Sequence, residues 1–291
     1  MTAPLNEALP MTKQSQSDNK QPAAISHTQV EVRGGIAGAP SQDVVAEEVP
    51  VALVYNGVSH AVMMASPTDL ADFALGFSLS EGILQRAEQL FSLDIHSSTQ
   101  GITIEMRIAG EPFARLREQR RSLSGRTGCG LCGTESLAQV LRKIPKVPIQ
   151  TIPSDAAVQA ALLHLKNHQP LQLLTGATHG AAWCDNQGQI VLTREDVGRH
   201  NALDKLIGAR IHALSEQAFN EGFALISSRA SFEMVQKSAS VGIATLVAVS
   251  APTALAIREA RSSGMNLIGF ARPSRHIIYT RSDAALKEKQ R

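Results

Sequence analysis

The stretch GRTGCGLCGTESL, Gly125 to Leu137, holds two of the chain's three cysteines, Cys129 and Cys132, bracketed by Gly128, Gly130 and Gly133. A C-x-x-C pair supports three chemistries: it clips a metal, cycles as a redox dithiol, or takes a sulfur atom on a thiolate and hands it on. One such pair supplies two ligands, whereas a structural zinc takes four. The third cysteine, Cys184, stands far along the chain, and His179 and His200 lack finger spacing. Zinc deaminases join H-x-E to P-C-x-x-C. Here Gly128 precedes Cys129, and neither His179-Gly180-Ala181 nor His200-Asn201-Ala202 brings the glutamate. Zinc is therefore the weakest of the three readings, and no structural metal is expected. A redox dithiol gains from a helix N-terminus, whose amides stabilise a thiolate, and Cys132 stands just ahead of a helix predicted from Thr134. The flanking glycines favour a mobile tether, which suits a swinging carrier better than a fixed dithiol. On these residues alone, redox and carrier chemistry both stay open.

Upstream, RLREQRRSLSGR gathers Arg115, Arg117, Arg120, Arg121 and Arg126. Positive charge lowers a nearby cysteine pKa and attracts an anionic cofactor or partner; a solvated basic face explains the same run equally well. Further along, Ser227 and Ser228 close the apolar run GFALISS, and Arg229 and Ser231 lead into a helical pattern. GFARPSR likewise ends an apolar run in Arg272 and Arg275. Amides at helix N-termini and the crevice at strand C-termini bind anions in α/β folds. Each motif taken singly is also an ordinary polar connection, and two in one sheet shift the balance modestly toward a phosphate or pyrophosphate site. TGATHGAAWC and REDVGRHNALDKLIG add His179, Glu195, Asp196, Arg199 and His200. Glu195, Asp196, Arg199 and His200 together can hold a polar ligand, or equally cap the helix and pair with one another. Cys184 follows Trp183 in an apolar run and reads as an inert buried thiol.

The elements that position these residues follow from periodicity. Residues 1 to 45 are polar and rich in Gln, Ser, Pro and Gly, so they read as a disordered leader, with order beginning near Val49. VALVYNGVSHAVMMA carries Asn56-Gly57 between β-prone runs and predicts a hairpin. After a Ser66/Thr68 start signal, Leu70, Phe73, Ala74 and Phe77 recur at helical spacing, and Ile102, Ile104, Met106 and Ile108 alternate along a strand. Leu137, Val140, Leu141 and Ile144 predict a helix stopped before Pro145. Pro148 and Pro153 suggest a linker, and Val158, Ala161, Leu162 and Leu165 a further helix. GFALISS, ATLVAVS and NLIGFAR read as doubly buried strands separated by two helix-length segments, which implies a parallel sheet with right-handed crossovers. The division expected is a smaller N-terminal α+β domain over 46–125, a mobile cysteine loop and helix over 126–148, and a three-layer α/β domain over 149–291.

Composition bounds the function class. The chain has 291 residues, 43% of them apolar and 4% aromatic, so aliphatic cores are expected. A net charge of +2 gives no argument for nucleic acid or an anionic membrane. No apolar run approaches the roughly 20 residues of a membrane helix, and Met1 to Ala24 lacks an apolar signal core. A reducing cytoplasm is the expected compartment, where three cysteines do not build a disulfide framework.

In this order along the chain, SPTDLADFALGF, GRTGCGLCG, TGATHGAAW, REDVGRHNALDK, SSRASFEMVQK, AVSAPTALAI and GFAR resemble the formate dehydrogenase accessory sulfurtransferases, the FdhD family of sulfur carriers. The resemblance covers nearly everything from about Val45 to Tyr279, leaves out the leader, and is loose over PSRHIIYT. It implies a carrier that receives sulfane sulfur from a cysteine desulfurase as a persulfide. The carrier then passes that sulfur to the molybdenum of a bis(molybdopterin guanine dinucleotide) cofactor serving formate dehydrogenase. It further implies Cys129 as the persulfide residue with Cys132 assisting. Phe270, Ala271, Arg272, Pro273, Ser274 and Arg275 correspond to the cofactor-binding stretch, and Ser228, Arg229, His179 and His200 are further candidates for guanine nucleotide contact. A cytidine-deaminase-like larger domain and a homodimer are implied as well. Two other classes compete: a non-catalytic cofactor-binding chaperone and a C-x-x-C dithiol oxidoreductase.

Overall fold

The computed structural model describes residues 22–33, 40–124 and 144–282. Cys129, Cys132, Arg126 and the helix predicted from Thr134 lie outside the described residues.

The segment expected to be a disordered leader contains two strands, β1 (Ile25–Glu31) and β2 (Pro40–Ala46), paired antiparallel with Ile25 opposite Ala46. The polar composition that suggested disorder does not prevent pairing, because the ladder is made by main-chain groups. Half-buried Val44, Val45 and Ala46 turn β2 toward the helix at residues 170–175.

A four-stranded sheet follows in the order β4-β3-β6-β5, built from β3 (Val49–Tyr55), β4 (Val58–Ala65), β5 (Leu90–Ser98) and β6 (Gly101–Ile108). The predicted hairpin turns at Asn56 and Gly57, both with positive φ (47° and 78°), as a two-residue turn of matching twist requires. Ile102, Ile104, Met106 and Ile108 are all buried, as the alternation predicts. They face α1 (Leu70–Ser80), whose Leu70, Phe73, Ala74 and Phe77 are buried too. Helix α2 (Gly110–Ser124) ends this part of the chain.

The larger sheet runs β12-β11-β10-β9-β7-β8. Its strands are β7 (His179–Cys184), β8 (Ile190–Asp196), β9 (Phe223–Ile226), β10 (Thr245–Ala248), β11 (Asn266–Arg272) and β12 (Arg275–Thr280). Strands β9, β10 and β11 are parallel, while β7 and β12 run antiparallel to their neighbours. Helices α3 (Asp155–Leu165), α4 (Pro170–Thr175), α5 (Arg199–Leu214), α6 (Phe232–Ser240) and α7 (Ala254–Ser263) complete the chain.

The sheet sorts its side chains by alternation. Phe223, Leu225, Val247 and Ile268 face Ala157, Val158, Ala161 and Leu165 of α3. Ala224, Ile226, Leu246 and Leu267 face α5, α6 and α7 in a core that continues without a break into α1 and the smaller sheet. Helix, sheet and helix layers result, the mixed α/β architecture the sequence predicts.

Helices α1 and α5 cross where both carry glycine. A Cβ on Gly76 would overlap the Asp204 carbonyl oxygen, and one on Gly208 the Asp72 carbonyl oxygen, so only glycine permits this approach. The proline-containing linker is no free tether. Gln150 donates to the Gly222 carbonyl (2.9 Å) and accepts from Thr245 Oγ1 (3.1 Å), and its carbonyl accepts from Asn266 Nδ2 (3.0 Å). It satisfies polar groups at the N-terminal ends of β9, β10 and β11 that would otherwise be left open.

Candidate functional site

Strand direction gathers the candidates. The six strands run so that the C-terminal ends of β8, β9, β10 and β11, and the N-terminal ends of β7 and β12, share one edge of the sheet. That edge receives His179 from β7, Arg199 and His200 from the turn after β8, and Ser228 and Arg229 from the end of β9. Phe270 to Arg275 arrive from β11 and its turn. Main-chain bonds continue the row beyond the strands. Ser227 N–H donates to the Gly180 carbonyl (2.9 Å), Ser250 N–H to the Ser228 carbonyl (3.4 Å) and Phe270 N–H to the Ser250 carbonyl (3.0 Å).

Among the helices that begin at this edge, α5 and α6 touch through their first turns. His200 Nε2 on α5 lies 3.1 Å from Glu233 Oε2 on α6, and an Arg199 guanidinium nitrogen lies 3.9 Å from the same oxygen. The His200 contact is short but lacks hydrogen-bond geometry, and the Arg199 Nε finds no hydrogen-bond partner among the described residues. Ser231, the residue preceding α6, spends its hydroxyl on Glu233 Oε2 (3.2 Å) and caps no backbone amide of the first turn. Uncapped amides at a helix N-terminus attract anions. Burial, then the Arg199 guanidinium, hold His179 below the ordinary imidazole pKa. Burial, then Arg199, do the same at His200, against the opposing pull of Glu233. Both imidazoles are therefore held toward the neutral form near pH 7, and Arg199, Arg229, Arg272 and Arg275 are the candidates there that carry positive charge.

Two candidates of the same motif are not ligand groups. Glu195 turns inward and accepts from the N–H groups of Leu171 (3.0 Å) and Gln172 (2.8 Å) and from Thr178 Oγ1 (3.0 Å), closing the first turn of α4. Asp196 is fully buried and pairs with Lys205 Nζ at 2.7 Å. A second buried pair, Asp204 with Lys237 Nζ at 2.8 Å, ties α5 to α6. Burial raises the Asp204 pKa; burial also opposes the Lys237 charge, yet the Asp204 and Glu81 carboxylates outweigh it and raise that pKa. With Ser80 Oγ also donating to Asp204 at 2.6 Å, the contacts favour the ionised pair.

The hairpin residues divide. Arg272 places its guanidinium 5.7 Å from the centroid of the Phe270 ring, while Ser274 and Arg275 turn toward α3. Upstream, Arg115 pairs with Glu111 and the Arg117 guanidinium lies 5.9 Å from the Phe113 ring centroid, so these two arginines are used locally on α2. Cys184 is buried, and burial pushes its thiol pKa up, which removes it as a nucleophile. Sequence reading missed Glu233 and Ser250. Glu233 is an unremarkable first-turn acid, and only the meeting of α5 and α6 reveals its partners.

The architecture is that of an α/β protein whose candidate residues gather along one edge of the larger sheet, at strand ends and helix N-termini. Comparison with known proteins makes the assignment specific: the FdhD/NarQ family model matches residues 46–286, and the chain belongs to that family. Among similar curated proteins are two named Sulfur carrier protein FdhD. The one from Cupriavidus necator is 55% identical over 239 residues, 82% of each chain. The one from Bordetella petrii is 53% identical over 252 residues, 86% of this chain and 89% of the relative. A solved structure from Desulfotalea psychrophila, described as a formate dehydrogenase accessory protein, superposes with a TM-score of 0.67. It is 24% identical and covers 89% of this chain and 97% of its own, which shows a shared fold.

Proposed function

We propose that this protein carries sulfane sulfur as a persulfide on Cys129 and delivers it to the molybdenum of a bis(molybdopterin guanine dinucleotide) cofactor destined for formate dehydrogenase. The observation that carries the reading is the convergence of His179, Arg199, His200, Ser228, Arg229 and Phe270 to Arg275 on one sheet edge, together with the sulfur-carrier relatives. A cofactor with two nucleotide diphosphates is strongly anionic, and guanidinium groups and helix-terminal amides are its natural receptors. In the loading step the Cys129 thiolate attacks the outer sulfur of a cysteine desulfurase persulfide. One S–S bond forms, the donor S–S bond breaks, and the donor cysteine leaves as thiolate. Cys132 assists by sharing the sulfur. The thiolates of such a carrier belong in a reducing cytoplasm, and no helix among the described residues is long and apolar enough to cross a membrane.

Replacing Cys129 with Ala tests the reading. Formate dehydrogenase produced beside the variant should be inactive although its apoprotein is made; full activity would overturn the persulfide role. A cofactor chaperone without sulfur chemistry would survive Cys129→Ala, and a dithiol oxidoreductase would instead show turnover on protein disulfides.

A further inference from the structure

Between α3 and the β11–β12 hairpin lies a cavity of about 410 Å³ walled by Asp155, Gln159, Ser274, Arg275, His276 and Ile278. Ser274 sits in the two-residue turn between the paired Arg272 and Arg275, and its φ of 65° is in the left-handed region that favours glycine. Its N–H donates to Gln159 Oε1 at 2.8 Å. That bond settles which way the Gln159 amide points, so Nε2 faces His276 Nδ1 at 3.4 Å. An amide nitrogen only donates, so Nδ1 is the unprotonated ring nitrogen and the ring hydrogen resides on Nε2. Nε2 in turn donates to Asp155 Oδ1 at 3.1 Å. Asp155 and Gln159 stand one helical turn apart on α3 and present a single face to the hairpin. The His276 side chain is only 9% exposed, so the ring is held in place.

We propose that Gln159, acting with His276 and Asp155, is the positioning residue that fixes the tip carrying Arg272 and Arg275 for the anionic cofactor. This rests on the reading of the edge as the cofactor's receptor. The opposite arm is already irregular: Phe270 has a φ of 47° and the pairing register shifts between Gly269 and Arg272. A turn strained on one side and bulged on the other has no regular ladder to set its direction, and the α3 clamp supplies it. Arginines on either side of this turn lose affinity for an anion if the tip has to be ordered on binding. None of the three clamp residues needs to touch the ligand.

The experiment is calorimetric titration of guanosine diphosphate into the full chain, in wild type and in the variants Gln159→Leu, Gln159→Glu, Asp155→Ala and Arg272→Glu. Gln159→Leu should weaken binding roughly tenfold, the scale of ordering one or two side chains. Gln159→Glu, whose carboxylate still accepts the Ser274 N–H, should recover part of the loss. Asp155 is 87% exposed, so Asp155→Ala threatens the fold little and should still weaken binding several-fold. In ¹⁵N imidazole spectra, Gln159→Leu should shift the His276 Nδ1 resonance, which loses its donor, while Asp155 keeps the hydrogen on Nε2; a merely structural contact elsewhere would leave Nδ1 alone. Wild-type affinity in Gln159→Leu and Asp155→Ala, with Arg272→Glu weakened, would overturn the clamp and leave the edge standing. Wild-type affinity in Arg272→Glu as well would remove the edge, and the clamp with it.

Discussion

Lys205 Nζ lies 2.7 Å from Asp196 Oδ2, and both side chains are wholly excluded from solvent. The same carboxylate accepts the Ser66 N–H (3.0 Å), the Gly198 N–H (2.8 Å) and Asn201 Nδ2 (3.0 Å). One ion pair thus knots the loop before α1, the end of β8 and the start of α5. Arg199 and His200 reach the candidate edge because Asp196 stays behind to hold the turn they stand on.

Removing one member of that pair leaves an uncompensated buried charge. Lys205→Met should lower unfolding stability by about 3–5 kcal/mol in urea titration. The double variant Asp196→Asn, Lys205→Met should be less damaged than the sum of its parts. Additive losses would mean that the two groups do not act as a pair.

The crossing of α1 and α5 depends on Gly76 and Gly208, where an added Cβ would overlap the facing carbonyl oxygens of Asp204 and Asp72. Gly76→Ala and Gly208→Ala should each destabilise by about 1–3 kcal/mol or more, although alanine is the better helix former. Urea midpoints at or above wild type would show that the helices need not approach so closely.

His179 and His200 have folded-state pKa values below the unfolded reference of 6.5. Above that reference both are neutral in either state, and they add no pH dependence. As pH falls from 6.5 through the lowered folded values, the unfolded chain takes up protons that the native state refuses, so stability declines. Urea midpoints measured from neutral to mildly acidic pH should fall, and the double variant His179→Gln, His200→Gln should show a shallower slope. Equal slopes would contradict the assigned environments.

Charge reversal at the hairpin addresses ligand binding. Arg272→Glu and Arg275→Glu should each weaken guanosine diphosphate by roughly tenfold or more, and the wild-type affinity should fall with added salt. Calorimetry at two ionic strengths reads both effects. Unchanged affinity in both variants would remove Phe270 to Arg275 from the site.

Much of the fold was legible because periodicity survives in single segments. The alternation of Ile102 to Ile108, the helical spacing of Leu70 to Phe77 and the apolar runs of β9, β10 and β11 each predict an element the structure contains. The candidate site was legible only as a set of polar punctuation marks. Sequence spacing does not distinguish Asp196, drawn inward by Lys205, from Arg199, left facing the edge. That choice also depends on partners more than a hundred positions away, in the loop at Ser66. The β1–β2 pair was missed because polar strands without an apolar alternation look like coil.

The most direct measurement is intact-mass spectrometry of the full chain after incubation with a cysteine desulfurase and cysteine, without reductant. A gain of one sulfur atom, mapped to Cys129, reversed by thiol and absent from buried Cys184, is the predicted result. No gain beside an active desulfurase would contradict the persulfide carrier and leave a cofactor-binding protein whose paired cysteines do other work.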